Sequence, residues 1–248
     1  MKKLIIQIPS WNEERQLPST LSSLPKQLAG IDRVEWLVID DGSSDATAEA
    51  ARKSGAHHVI QMNEHSGLAK AFKAGVVFSI RSKADILVNT DADNQYDAKC
   101  IPQLIEPILR GRADMVVGDR KTSKLQFLPF WKRLLYFFAG KTLSLLTGQY
   151  IPDPTSGFRA FSAELLEELE VSDSFSYVIE TLIQTLKKGK RIEFVPIESR
   201  IVNRPSRLIR FLPIYILRTT WSVIRAEIKY SRWNSDVTAY PLHKRPKK

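Results

Sequence analysis

Five short apolar runs recur along the first half of the chain: Leu4 to Ile8, Trp36 to Ile39, His58 to Gln61, Ile86 to Val88 and Met115 to Val117. Each is continuous rather than alternating, the pattern of strands buried on both faces of a parallel sheet. Between them, apolar positions repeat with helical spacing around Leu17 to Leu28, Ala46 to Lys53, Leu68 to Ile80 and Ile101 to Leu109. Strand and helix alternating about every 25 residues predict an α/β fold with a doubly wound, mostly parallel sheet, whose ligands bind beyond the carboxyl ends of the strands. After residue 122 the pattern changes. Leu125 to Leu146 is apolar, aromatic and basic, Asp153 to Arg159 reads as a turn, Phe175 to Lys187 as a helix and Arg191 to Ile197 as the last strand. With 248 residues, no internal repeat and no Gly/Ser linker, the chain reads as one domain with a C-terminal appendage.

Charge sets that appendage apart. Twelve basic residues and only two acidic ones, Glu227 and Asp236, fall between Arg200 and Lys248, so the net charge of +10 belongs to this segment and the first 199 residues are neutral. Ile214, Leu217, Trp221, Ile224 and Ile228 recur at helical spacing beside Arg218, Arg225, Lys229 and Arg232. Apolar side chains bordered by snorkelling cations suit a helix lying in an anionic membrane interface, and they equally suit a helix docked on the globule or on a partner subunit. The basic tail Lys244 to Lys248 favours the anionic surface. Phe127 to Tyr136 is a second candidate interfacial element, with core packing as the competing reading. No apolar run approaches the roughly 18 to 20 residues that span a bilayer. The start of the chain lacks the apolar core of a signal peptide, and the single Cys100 excludes an internal disulfide and a multi-cysteine zinc site. The expected location is cytoplasmic and peripheral to the membrane.

The chemistry gathers at strand ends. Asp40-Asp41-Gly42-Ser43-Ser44-Asp45 follows the second strand. Ser44 or Asp45 can cap the next helix, and the adjacent carboxylates Asp40 and Asp41 are more than a cap requires. The fourth strand ends in Asp91-Ala92-Asp93-Asn94-Gln95, where alternation on extended chain lets Asp91, Asp93 and Gln95 converge. Hard oxygen ligands of this kind suit Mg²⁺ or Mn²⁺ shared with substrate phosphates. An EF-hand is excluded by the missing glycine and glutamate of its loop, and neither a Walker nor a dinucleotide-binding glycine motif is present.

Pro9-Ser-Trp-Asn12-Glu13, Asp40-Asp-Gly-Ser43, Asp91-Ala-Asp93-Asn-Gln95 and Asp153-Pro-Thr-Ser156-Gly157-Phe-Arg159, in this order, resemble the inverting GT-A glycosyltransferases of family 2. More narrowly they resemble dolichyl-phosphate mannose synthase and the bacterial polyprenyl-phosphate glycosyltransferases. The resemblance covers residues 3 to 210 and implies a catalytic GT-A domain over 1–206, with 207–248 as the membrane-interface segment. It implies a GDP- or UDP-linked sugar donor bound by Pro9, Asn12, Glu13, Asp40 and Asp41, and a metal held by Asp91, Asp93 and Gln95. Gly67 and Lys70 would lie near the donor, although Lys70 also fits a solvated helix face. Ser156, Gly157, Arg200 and Arg207 complete the implied donor contacts. The motif at Asp153 also fits a turn leading into a strand, which leaves its serine, glycine and arginine unexplained.

A hydroxyl acceptor needs a general base, for which Asp153 or Glu180 stands available, whereas a phosphate monoester is already anionic. Arginine forks match phosphate oxygens, and the resemblance implies Arg120, Arg133, Arg159 and Ser206 as acceptor-phosphate contacts and Asp91, Asp93, Asp153, Arg120 and Arg133 as the catalytic set. Two departures stand out: Phe137 replaces the hydroxyl residue that related enzymes carry one turn after Arg133, and Pro205 and Arg207 alter the late cationic loop. The expected reaction is transfer of a sugar to a polyprenyl phosphate. The alternative is a saccharide or protein hydroxyl acceptor. Nucleic acid is not an expected partner, because acidic strand ends repel its backbone.

Overall fold

β1 (Lys3–Ser10), β2 (Arg33–Asp40), β3 (His58–Gln61) and β4 (Ile86–Asn89) run parallel in the order β3-β2-β1-β4, as the apolar runs predict. The computed structural model describes residues 1–121, 130–172, 177–200 and 225. Among these residues seven strands form one sheet, completed on the far side of β4 by β6 (Arg159–Ser162), β5 (Met115–Asp119) and β7 (Ile192–Pro196). Alternate strand residues feed two cores. Leu4, Ile6, Ile8, Val38 and Val88 pack under α1 (Leu17–Ser23), α2 (Thr47–Lys53) and α4 (Ile101–Leu109). Ile5, Leu37, Ile39 and Leu87 pack under α3 (Leu68–Arg81), α6 (Ala163–Glu168) and α7 (Tyr177–Lys187). Helices on both faces explain why the strands carry no polar alternation.

Three differences from the sequence reading have physical causes. The first helix ends at Ser23 instead of Leu28, because Pro25 drives Leu24 into extended backbone. The turn at Asp153 to Arg159 leads into β6, which runs antiparallel to both β4 and β5. Being antiparallel, β6 begins at the edge where the parallel strands end, so the residues just before it arrive beside Asp91. α6 follows β6 directly, with the Ser162 hydroxyl as its cap. The expected helix and tail over 207–248, with Ser206 and Arg207, lie outside the described residues apart from Arg225.

At the opposite edge of the sheet Glu35 is buried, 1% exposed, among Lys3 at 3.0 Å, Arg33 at 2.5 Å and His58 at 3.0 Å. Burial alone raises the proton affinity of this carboxyl, but hydrogen bonds from Lys3 and His58 and the charges of Lys3 and Arg33 outweigh it and hold the pKa below the ordinary glutamate value. A carboxyl with a depressed folded-state pKa stabilises fully above its unfolded value and ceases to do so as pH falls through the folded one. The melting-temperature difference between the parent protein and Glu35→Gln is therefore expected to be constant down to about pH 5 and to shrink below it. A difference that grows on acidification contradicts this assignment.

Candidate active site

The ends of β1 and β2 are tied into one platform. Asn12, at φ 53°, donates its backbone N–H to Ser43 Oγ at 2.9 Å and accepts from the Ser44 N–H at 2.9 Å. Pro9 is buried in β1 opposite Ile39, and Glu13 is buried with its N–H donated to Thr47 Oγ1 at 2.8 Å. Asp40, 1% exposed, accepts from the Ser43 N–H at 3.0 Å. Asp45 lies one residue before the cap position of α2, Ala46, and accepts from the Thr47 N–H at 3.0 Å. Asp41, expected at the donor, is occupied otherwise. Its two oxygens accept the N–H groups of Ser66 at 2.8 Å and Gly67 at 2.9 Å, and His65 Nδ1 lies 2.9 Å away. Asp41 thus closes the amino end of α3, where a carboxylate is electrostatically favoured. Gly42 makes this contact possible, since a Cβ there would lie 2.3 Å from the Glu64 carbonyl carbon. His65 in turn stacks on Trp11, ring centroids 4.0 Å apart. Gly67 precedes α3 at φ 96°, and Lys70 stands exposed in its first turn.

Asp91 and Asp93 follow β4 on either side of buried Ala92, whose carbonyl accepts from Thr20 Oγ1 at 2.7 Å. Both carboxylates are partly exposed, and Asp93 Oδ1 accepts from the Gln95 N–H at 3.1 Å. Among the described residues no group of three or more His, Cys, Asp or Glu is placed to hold a metal. Gly157 comes up against the pair: a Cβ on it would lie 3.1 Å from Asp91 Oδ1. Its N–H donates to the hydroxyl of buried Tyr96 at 3.2 Å. Burial, with the charges of Asp91 and Asp153, raises the Tyr96 pKa, so the phenol stays protonated. Gln7, Asn89, Tyr96 and Tyr177 form the polar layer behind Asp91 and escape sequence reasoning; their one signal is a lone polar residue inside each of two apolar strands.

Arg120, just past β5, meets Asp153 in a two-pronged pair, Nε to Oδ2 at 2.7 Å and Nη2 to Oδ1 at 2.9 Å, and also donates to Thr155 Oγ1 at 2.7 Å. Asp153 is fully buried. Burial raises its proton affinity, but the Arg120 charge and hydrogen bonds prevail and hold it below the usual carboxylate range. A carboxylate so held is a poor proton acceptor, which argues against Asp153 as a general base. Glu180, the other candidate base, is buried and accepts from the Ser172 N–H at 3.3 Å. Ser156 is buried, and its Oγ has no hydrogen-bond partner among the described residues.

Two arginines make protein contacts that the resemblance does not give. Arg159, expected on the acceptor phosphate, is 0% exposed and points into the protein. Its guanidinium donates to the carbonyls of Ser156 at 2.7 Å, Pro154 at 2.8 Å and Val178, and to Thr181 Oγ1 at 3.2 Å. No phosphate reaches it; it clamps the 154–156 turn to α7. Arg200, expected at the donor, pairs with Asp97 at 3.1 Å and donates to Asn94 Oδ1 at 3.2 Å, while its N–H binds the Gln95 carbonyl at 2.8 Å. It fastens the loop that carries Asp93 from outside.

α5 (Phe130–Thr147) has two unlike sides. Gly140 lets it press on the chain before Asp153, where a Cβ would lie 2.7 Å from the Ile151 carbonyl oxygen, and Ser144 Oγ accepts from the Ile151 N–H at 2.8 Å. Phe130, Leu134, Phe137, Phe138 and Leu145 are exposed, the first by 74%, and Arg133 is half-buried in the first turn. No helix among the described residues is long and apolar enough to cross a membrane.

The mostly parallel sheet, with its acidic residues at the ends of β2 and β4 and an antiparallel β6 beside them, has the fold of a GT-A glycosyltransferase. It matches the crystal structure of glucosyl-3-phosphoglycerate synthase from Mycobacterium tuberculosis, solved with Mn²⁺, uridine diphosphate and glucosyl-3-phosphoglycerate, at a TM-score of 0.68. The identity is 24%, and the match covers 92% of this chain and 80% of that one. The chain belongs to glycosyl transferase family 2, whose sequence pattern matches residues 5–170. It is 33% identical over 197 residues to a dolichyl-phosphate hexose transferase of Haloferax volcanii, across 79% of this chain and 82% of the relative. An undecaprenyl-phosphate mannosyltransferase of Micrococcus luteus is 29% identical over 200 residues, across 77% and 80% of the two chains.

Proposed function

We propose that the protein transfers a sugar, with inversion, from a GDP- or UDP-linked donor to a polyprenyl phosphate at the cytoplasmic face of a membrane, to which it binds peripherally. The observation that carries this reading is α5, which exposes large apolar side chains on one side and packs on the other against Ile151 and Pro152, directly before the Asp153 that pairs with Arg120. An apolar surface on the helix that packs just before the Arg120–Asp153 pair suits an acceptor that is lipid at one end and phosphate at the other. The names of the relatives support the same acceptor class.

Within this reading residues 1–206 are the catalytic domain and 207–248, with the +10 charge, an anionic-surface anchor. Pro9, Asn12, Glu13 and Asp40 line the base and ribose site, and Ser156 and Gly157 lie at the sugar. Asp91, Asp93 and Gln95 would hold Mg²⁺ or Mn²⁺. The fit is chemical: two carboxylates and an amide without a third acidic ligand suit an ion that takes its remaining oxygens from substrate phosphates. Such an ion, when bound, neutralises charge on the departing diphosphate. Arg120 and Arg133 draw the acceptor phosphate into line, and its anionic oxygen attacks the anomeric carbon without a protein base.

The test incubates the protein and Mn²⁺ or Mg²⁺ with GDP- and UDP-sugars and undecaprenyl or dolichyl phosphate, then reads the organic phase by mass spectrometry. A chelator-sensitive glycosyl phospholipid is expected. Donor consumption that yields sugar only on water-soluble acceptors overturns the lipid assignment.

A further inference from the structure

A buried polar chain runs beneath the acidic pair, and no step of the proposed transfer uses it. Gln7 on β1 and Asn89 on β4 are register partners, both 0% exposed, the first between Ile6 and Ile8 and the second after Ile86, Leu87 and Val88. Gln7 Nε2 donates to Asn89 Oδ1 at 2.9 Å. Asn89 Nδ2 donates to the Gly157 carbonyl at 2.8 Å and to the Tyr177 hydroxyl at 3.0 Å. On its other side the Gly157 N–H is bound by Tyr96. The Gly157 backbone is therefore held at both its carbonyl and its N–H, and its α-carbon is fixed against Asp91.

Stability does not explain this arrangement. Gln7 Oε1 is buried without a hydrogen-bond partner among the described residues, which is costly in a packed interior. α3 also gives up a side chain to it, since a Cβ on Gly75 would lie 1.9 Å from Gln7 Oε1. Leucine at both strand positions would remove the unsatisfied Gln7 amide and the Gln7–Asn89 bond together, leaving only the Gly157 carbonyl and the Tyr177 hydroxyl to lose a donor.

We infer that Asn89 is a positioning residue: supported by Gln7, it sets the Gly157 backbone against Asp91 and so fixes where that carboxylate presents its oxygens. The inference rests on the reading of Asp91 as a metal ligand. Groups that orient a metal ligand from behind typically contribute 10- to 100-fold in affinity.

The experiment compares the parent, Asn89→Leu, the double variant Gln7→Leu/Asn89→Leu, and Tyr177→Phe. Each is measured for melting temperature and for affinity toward Mn²⁺ alone, read from the free-ion paramagnetic resonance signal. Asn89→Leu is expected to melt lower and to bind Mn²⁺ about 10- to 100-fold more weakly. The double variant is expected to recover the part of the melting temperature that Asn89→Leu loses by leaving the Gln7 amide unpaired, without recovering Mn²⁺ affinity. Tyr177→Phe keeps the ring stacked on Phe72 and removes only the hydroxyl, so it reports the same direction at smaller size if the leucine variants do not fold. Unchanged Mn²⁺ affinity in folded single variants, or affinity that returns together with stability in the double variant, overturns the positioning role. A parent protein that binds no Mn²⁺ overturns instead the metal reading on which the role rests.

Discussion

An Asp91→Ala variant is expected to keep its fold and to lose sugar transfer by about 10³-fold or more, the scale on which removing a group that stabilises developing charge slows an enzyme. The carboxylate follows β4 instead of lying within it, is partly exposed, and sits two residues from a second negative charge on Asp93. Removing it leaves the β4 core of Ile86, Leu87 and Val88 untouched. The expected change in stability is within about 1 kcal/mol. Thermal melting and product formation measured on the same preparation separate the two effects. Transfer that persists in the folded variant removes Asp91 from the metal site.

Arg159→Met is expected to do the opposite, abolishing the fold before any question of turnover arises. The change leaves the Ser156 and Pro154 carbonyls without their guanidinium donor in the core and takes one partner each from the Val178 carbonyl and the Thr181 hydroxyl, which also bond each other. Each buried group so orphaned costs about 1–3 kcal/mol, so the sum consumes much of the 5–15 kcal/mol that typically holds a domain together. Burial lowers the Arg159 pKa to about 10, against the raising influence of Tyr177 and Asp153, so the group remains cationic at neutral pH. Arg159→Lys is not a rescue, because a compact ammonium cannot reach four acceptors arranged around a planar fork. Soluble yield and the urea midpoint report the loss. A variant that folds normally and only weakens acceptor binding would return Arg159 to the phosphate.

These two residues mark where the sequence is readable. Strands such as Leu4 to Ile8 and Trp36 to Ile39 announce themselves because both faces are buried and every position but Gln7 is apolar. β6 does not: its four residues begin with arginine and end with serine, and its antiparallel direction comes from partners far along the chain. Asp91 and Asp93 stand out because two carboxylates after an apolar strand need a reason. The Asp-X-X-Ser-Gly-Phe-Arg element carries residue types but not the direction in which its arginine turns, so Arg159 reads as a phosphate ligand and folds as a clamp. Asn89 meets Tyr177 across 88 positions of chain, a distance no local spacing encodes.

The pairing of β5 with β6 has a further consequence. Val117 sits opposite Arg159, and the Gly118 N–H bonds the Phe158 carbonyl at 2.9 Å, so the chain leaves the sheet and returns to it at adjacent points. The described residues from Arg120 to Gly157, including α5, hang from that stem like a cassette from a handle. A cassette with closed ends can lengthen, shorten or be exchanged without altering the register of the sheet beneath it. Asp40, Asp91 and Asp93 lie outside it, while Arg120, Arg133 and Asp153 lie within. Exchange between family members at this stem would thus replace Arg120, Arg133 and Asp153 together with Ser156 and Gly157, while Asp40, Asp91 and Asp93 keep their places at the ends of β2 and β4.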